Sequence, residues 1–268
     1  MWFLLELNTV SFIIILIKRN NYIFDQRIIK YFLFQAITSI FLFLRFSNKY
    51  FADCLVRLFI FMKLGIFPFH LWFINILKDL DPLKLIILST TQKVLPFRLY
   101  QFLEFRFFSH WVLFLSIVGG SLYGRVQIKL INIFGASSIY STSWVVLYFM
   151  TVGVGGWYYL IFYFRLATLF ILWIMYLSYS QISRFYKRVH QVLLAILILT
   201  LSSFPPRPLF FFKITVLSDL FATGFSSFAG LILLVDPVAV YIYIYIYIYK
   251  YSLSQRSNKP INFKSEPR

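Results

Sequence analysis

Solidly apolar runs dominate this chain. They cover Trp2 to Ile17, Tyr31 to Phe46, Cys54 to Leu77, Leu83 to Phe102, Trp111 to Tyr123, Leu130 to Met150, Trp157 to Ser180, Val189 to Leu220 and Phe221 to Tyr249. An α-helix needs about 20 such residues to cross the hydrocarbon of a bilayer. Strands of a membrane barrel alternate apolar and polar positions; these runs do not. Lipid also requires each segment to close its own backbone hydrogen bonds. The pattern therefore predicts an all-α transmembrane helix bundle of about nine spans. Two helices should be broken. The third run contains Gly65 and Pro68, and the eighth is interrupted at Pro205, Pro206 and Pro208. Pro96 marks another helix-breaking position in the fourth run. The last run is irregular, with Asp236 and Pro237 in its middle. Its YIYIYIYIY tract, Tyr241 to Tyr249, reads as membrane helix or as a disordered repeat. Residues 1–220 form the expected main membrane domain, 221–249 an irregular last span and 250–268 a basic, disordered tail.

Composition agrees. The chain is 60% hydrophobic, 22% aromatic and only 13% charged, whereas a soluble domain carries about 25% charge. The remaining charge is lopsided: 26 Lys and Arg against 9 Asp and Glu, a net +17. Nucleic-acid binders gather their cations on a polar face. Here most cations sit between apolar runs, so a nucleic-acid partner is not expected and a lipid bilayer is. The connections at Lys18–Lys30, Lys78–Lys84 and Arg184–Arg188 share one side of the membrane with the tail. Only Arg45, Lys49, Arg57, Arg98 and Arg106 fall on the other side. The positive-inside rule makes the richer side the cytoplasm-like one, the matrix in a mitochondrion.

Lys63, Lys93, Arg165, Arg207 and Lys213 lie inside the apolar runs, as does Glu6. A charge at mid-bilayer costs about 2.5–3.5 kcal/mol on insertion scales. Such groups should face a protein interior or a hydrated cavity. Arg165 and Arg207 are equally well explained by snorkelling to the interface. Lys63, Lys93 and Lys213 each lie near a helix breaker, where free carbonyls and amides collect in transporters. A lysine taken out of water also holds its proton less tightly. These positions suit proton exchange.

Other chemistry finds little support. Cys54 is the single cysteine, so neither a disulfide framework nor a cluster held by this chain alone is expected. His70, His110 and His190 are scattered, which speaks against a private metal site. The glycines at 153, 155 and 156 fit neither a dinucleotide fingerprint nor a Walker motif. No cofactor and no private small-molecule site are expected on this chain. The abundance of Phe and Tyr over Gly and Pro fits an AT-rich genome such as an organelle's, and no cleavable leader is visible.

Several segments resemble a known family. KLGIFPFHLWFINIL (Lys63 to Leu77) resembles the K-L-G-x-x-P-F-H-x-W signature of chain 2 of mitochondrial NADH–ubiquinone oxidoreductase, respiratory complex I. LSTTQKVLP (Leu88 to Pro96) is similar to that family's L-L-T-W-Q-K-L-A-P. LELNTVSFIII (Leu5 to Ile15) and KYFLFQAITSIFL (Lys30 to Leu42) resemble its E-x-N-x-L-A and K-Y-F-L-x-Q-A stretches. Gly119 to Ile139 and Leu201 to Lys213 resemble two further motifs, in the same order. The P-F-H-x-W and T-x-Q-K pairing favours this subunit over its two larger antiporter-like relatives.

The resemblance implies an antiporter-like membrane subunit that moves protons across the mitochondrial inner membrane, driven by quinone reduction elsewhere. Glu6 and Lys63 would be the charged pair of the first half-channel, Lys93 the central lysine and Lys213 the outward-connected one. NAD, FMN, iron–sulfur clusters and ubiquinone would belong to other subunits, and the partners would be other complex I membrane subunits. Three departures stand out. The family has a span before the position of Glu6. FPPRPLFFFK lacks the family's glycines and carries Arg207. Nothing after about Leu220 matches a family motif. The residues alone also fit a free-standing secondary transporter or cation/proton antiporter, or a membrane scaffold with unused charges.

Overall fold

The computed structural model describes residues 2–17, 22–47, 53–78, 80–101, 107–127, 130–179, 192–193, 196–201, 203–205 and 208–245. Among them there are helices and turns and no strand. The helices are α1 (Trp2–Leu16), α2 (Tyr22–Ser47), α3 (Asp53–Leu64), α4 (Leu71–Leu77), α5 (Pro82–Ser89), α6 (Thr91–Gln101), α7 (Phe107–Val126) and α8 (Leu130–Thr151). A 3₁₀ turn at Gly153–Gly155 leads into α9 (Gly156–Tyr179). A short helical stretch at 196–201 (α10), α11 (Pro208–Ala222) and α12 (Ser226–Tyr245) follow.

The third and eighth runs are broken, and both breaks use the same device. In the first, α3 ends in a Schellman motif, where the backbone turns left-handed and two amides reach back to free carbonyls. Gly65 takes the left-handed position at φ 70°. Its amide bonds the Met62 carbonyl at 3.2 Å, and the Ile66 amide bonds that of Phe61 at 3.1 Å. The Trp72 indole donates a further bond to the Met62 carbonyl at 2.9 Å. His70 stacks on Phe67, and its Nδ1–H donates to the Pro68 carbonyl at 3.1 Å. Thus the P-F-H-x-W residues close the broken end just beyond Lys63. In the second break the left-handed residue is Ser203, at φ 58°. Its amide bonds Thr200 and the Phe204 amide bonds Leu199, both at 3.1 Å. Pro205 follows in a turn and Pro208 opens α11, where its missing N–H is harmless. Pro206 and Arg207 lie outside the described residues.

A third interruption does not fall at Pro96. That proline sits inside α6. The chain breaks at Thr90, whose φ of −115° and ψ of −78° depart from helical values. Pro96 lies little more than a turn into the helix, so it curves α6 rather than ending it. The last run is also more regular than expected: α12 runs unbroken through Asp236 and Pro237 as far as Tyr245. The remainder of the Tyr-Ile tract and the tail lie outside the described residues.

Of the nine expected spans, three described helices are both long and apolar enough to cross a bilayer: Leu130–Thr151, Gly156–Tyr176 and Ser226–Tyr245. The breaks divide other runs into pieces too short to qualify singly. α8 is the central post, with 94% of its apolar window buried, and α7 packs closely along it. Gly120 makes that approach possible, since a Cβ there would stand 3.1 Å from the Tyr140 amide nitrogen. α8 also buries Ser137, Ser138, Thr142 and Ser143. Ser137 and Thr142 donate to the carbonyls three residues back, and Ser143 to the one four back. Small hydroxyls can therefore line the middle of the protein without stranding a polar group. The outer surface is apolar, with Phe3, Leu7, Ile14, Ile37 and Leu234 exposed.

Candidate functional site

Lys63, Lys93 and Lys213 are all buried, at 5%, 4% and 2% exposure, while Glu6 is half-buried. The first three depend on the breaks. Lys63 is the penultimate residue of α3, Lys93 lies in the first turn of α6, and Lys213 lies in the second turn of α11. None of the three reaches the outer surface of the chain.

Glu6 and Lys63 do not form a contact ion pair. The Lys63 ammonium donates to the Gln35 backbone carbonyl at 3.2 Å and to its side-chain oxygen at 3.4 Å. The Glu6 carboxylate accepts from Ser39 and, at 3.5 Å, from Thr9. Gln35 and Ser39 are one turn apart on α2, so one helix face serves both charges. The separation follows from α2 standing between them.

Lys63 and Lys93 line the same small cavity, together with Asn8, Gln35 and Gln92. It has room for about one water molecule. Gln92 bridges its wall, donating to the Asn8 carbonyl and side-chain oxygen at 3.1 and 3.2 Å and accepting from the Tyr31 hydroxyl at 3.4 Å. The Lys93 ammonium donates to Ser138 Oγ at 2.8 Å and lies 4.8 Å from the Phe73 ring centre. No carboxylate among the described residues pairs with it.

Lys213 is held differently. It pairs with Asp236 of α12 at 2.5 Å. The Tyr140 hydroxyl bonds both members of that pair. The rings of Tyr140 and Trp144 each lie 4.6 Å from the ammonium. Ser138 and Tyr140 are neighbours on α8, so that helix faces Lys93 with one residue and Lys213 with the next but one. Asp236, Tyr140, Ser138 and Gln35 escaped the sequence reading as site residues. Asp236 carried a signal, as a carboxylate inside an apolar run. Hydroxyls on an apolar helix carried none.

Two other cations behave unlike the rest. Arg57, assigned by sequence to a loop, is part of α3 and only 2% exposed. Among the described residues, none of its three guanidinium nitrogens has a hydrogen-bond partner. Arg165 is exposed on α9.

No family model matches the chain. Among curated proteins it is similar to NADH-ubiquinone oxidoreductase chain 2 of Artemia franciscana, 31% identical over 145 residues, which is 54% of this chain and 47% of that one. It is 24% identical over 258 residues to the chain of that name from Locusta migratoria, covering 90% of this chain and 75% of the relative. The Lumbricus terrestris protein of the same name is 28% identical over 225 residues, 77% of this chain and 67% of its own. The chain is thus similar to NADH-ubiquinone oxidoreductase chain 2. Its fold agrees: a chain in the solved respiratory complex I from Thermus thermophilus with bound aureothin superposes with a TM-score of 0.79, at 19% identity. That likeness covers 94% of this chain and 65% of the other. The match to the Artemia chain 2 spans about half of that relative's length.

Proposed function

We propose that this chain is a core membrane subunit of respiratory complex I and carries protons across the mitochondrial inner membrane. NADH oxidation and ubiquinone reduction, with FMN and iron–sulfur clusters, belong in this reading to other subunits. One observation carries it. Three lysines sit buried beside helix interruptions, two on one polar cavity and the third just across α8. Ionisable groups placed so deep in an apolar bundle serve ion or proton movement by default.

In this reading Glu6 and Lys63 belong to the entry half-channel, Lys93 is the central carrier and Lys213 the outward-connected one. Gly65, Pro68 and Pro205 help hold the broken helices open. A proton arriving at one lysine weakens the hold of the next on its own, because like charges disfavour each other. Lys63 and Lys93 are held by neutral oxygens, so either could lose its charge without stranding a carboxylate. The full bundle has about nine spans, broken ones included. The basic connections at Lys18–Lys30, Lys78–Lys84 and Arg184–Arg188 face the matrix, and protease protection in mitoplasts tests that sidedness.

The direct experiment replaces Lys93 with Met in the complex. Native gels should show assembly retained, while NADH-driven proton pumping falls by roughly a hundredfold, the lower range of what a placed proton-transfer group contributes. Normal pumping by the assembled variant would overturn the assignment. Proton transport by the purified chain alone in liposomes would favour the free-standing antiporter instead.

A further inference from the structure

We propose that the outer face of α9 is a docking surface for a membrane-spanning helix of a neighbouring subunit that brings a carboxylate to Arg165. The inference rests on the reading above that this chain is one subunit of a larger complex.

Along α9, Tyr158, Ile161, Leu169, Leu172 and Tyr176 are exposed, at 74%, 50%, 55%, 47% and 56%. Arg165 is exposed with them. Successive members are three or four residues apart, which places all six on one helical stripe. The opposite side of α9 is in the core through Tyr159, Tyr163, Ala167 and Phe170. The stripe is therefore the side of the helix that nothing among the described residues covers.

Its depth follows from its ends. Tyrosines gather at the two membrane–water interfaces. Tyr158 and Tyr176 are separated by about 27 Å along the helix, close to the ~30 Å of hydrocarbon in a bilayer. Between these two anchors, Arg165 lies about 10 Å from the level of Tyr158 and about 16 Å from that of Tyr176. Its neighbours on the stripe, Ile161 and Leu169, offer no polar contact. Among the described residues no carboxylate pairs with it.

A guanidinium at that depth, on a face otherwise apolar, does not match lipid tails. It matches a second helix whose surface is apolar except for one Asp or Glu at the same level. Arginine is suited to that role because its fork bonds both oxygens of a carboxylate. The aliphatic residues above and below would pack against the partner and exclude water from the pair.

The test uses the assembled complex in its own membrane. Arg165→Leu and Arg165→Glu should each lower the fraction of chain migrating with the large NADH-oxidising complex at least tenfold, although carbonate extraction still finds the chain inserted. Arg165→Lys should assemble nearly as well as the parent. In that variant, dicyclohexylcarbodiimide should join the new amine to the partner carboxylate, and mass spectrometry should find the cross-link in a membrane helix of another subunit. If Arg165→Leu assembles like the parent and the Arg165→Lys variant yields no cross-link, the face meets lipid and the proposal is wrong. Loss of assembly that is restored by added anionic lipid, without a protein cross-link, identifies a headgroup as the occupant and likewise overturns it. A parent chain that migrates alone overturns the subunit reading itself, a result distinct from either.

Discussion

The two broken helices of this protein solve the same problem with opposite charge arrangements. Beside the first break, Lys63 is held by the oxygens of Gln35, and Lys93 across the shared cavity by Ser138. Beside the second, Lys213 is locked to the carboxylate of Asp236 with Tyr140 bridging both. A neutral acceptor tolerates a lysine in either protonation state. A largely covered carboxylate such as Asp236 tolerates a neutral lysine less well, since removing its partner leaves an uncompensated charge. The first half of the bundle thus holds its lysines on neutral oxygens, an arrangement that the proposed proton path would use for charges that come and go. The second is built around an ion pair, which in the proposed proton path would have to open before its lysine exchanged.

The contrast is sharpest in stability. Lys213→Met should destabilise the protein by up to about 3 kcal/mol, because it removes the cation from Asp236, a carboxylate only 16% exposed. Lys93→Met strands only a hydroxyl, for about 1 kcal/mol. The thermal midpoint of the detergent-solubilised complex, and the amount that assembles, should fall steeply in the first variant and little in the second. Adding Asp236→Leu to Lys213→Met should recover most of the loss, since well-packed apolar groups replace a buried pair at small cost. Equal losses for the two single variants would erase the distinction between the halves.

The first half contains a cation that the second would have paired. Arg57 is buried in α3, and none of its guanidinium nitrogens bonds another described residue. Stranding a polar group costs about 1–3 kcal/mol by mutational measures. Arg57→Met keeps a long side chain in the same space, and should raise the thermal midpoint of the purified chain by a corresponding amount. A lowered midpoint would mean that the guanidinium is bonded within the folded chain.

How much of this was legible follows from what each feature does to local sequence. The first break was readable because it needs a residue free to turn left-handed, and Gly65 announces itself. The second was readable only through its prolines, because Ser203 occupies the position that a glycine would mark. Pro96 misled, since a proline early in a helix bends it while the break falls at Thr90. The buried lysines stood out because charge is scarce in apolar runs. Their partners did not: Ser138 and Tyr140 look like ordinary helix residues until α6 and α11 are packed on either side of α8. Arg57 was misplaced because position near a run's end cannot tell a loop cation from a buried one.

The backbone at the two breaks offers a smaller test. Gly65→Ala forces a left-handed alanine at φ 70°, with its new methyl 3.2 Å from the Phe73 Cβ. The conformational cost alone is about 1–2 kcal/mol, and the contact adds to it, so the thermal midpoint should drop.

Ser203 gives the mirror experiment. It already holds a left-handed conformation at φ 58°, and its backbone makes the same reaching bonds as Gly65. A glycine there would relieve the steric cost of the Cβ, about 1 kcal/mol, but it would also loosen the unfolded chain and return part of that gain. The net change for Ser203→Gly should be a small stabilisation, below that lost in Gly65→Ala and opposite in sign. The opposition in sign is the informative part. If both substitutions destabilise, the Ser203 side chain contributes something its conformation does not explain. The two breaks would then differ in their chemistry as well as in the charges beside them.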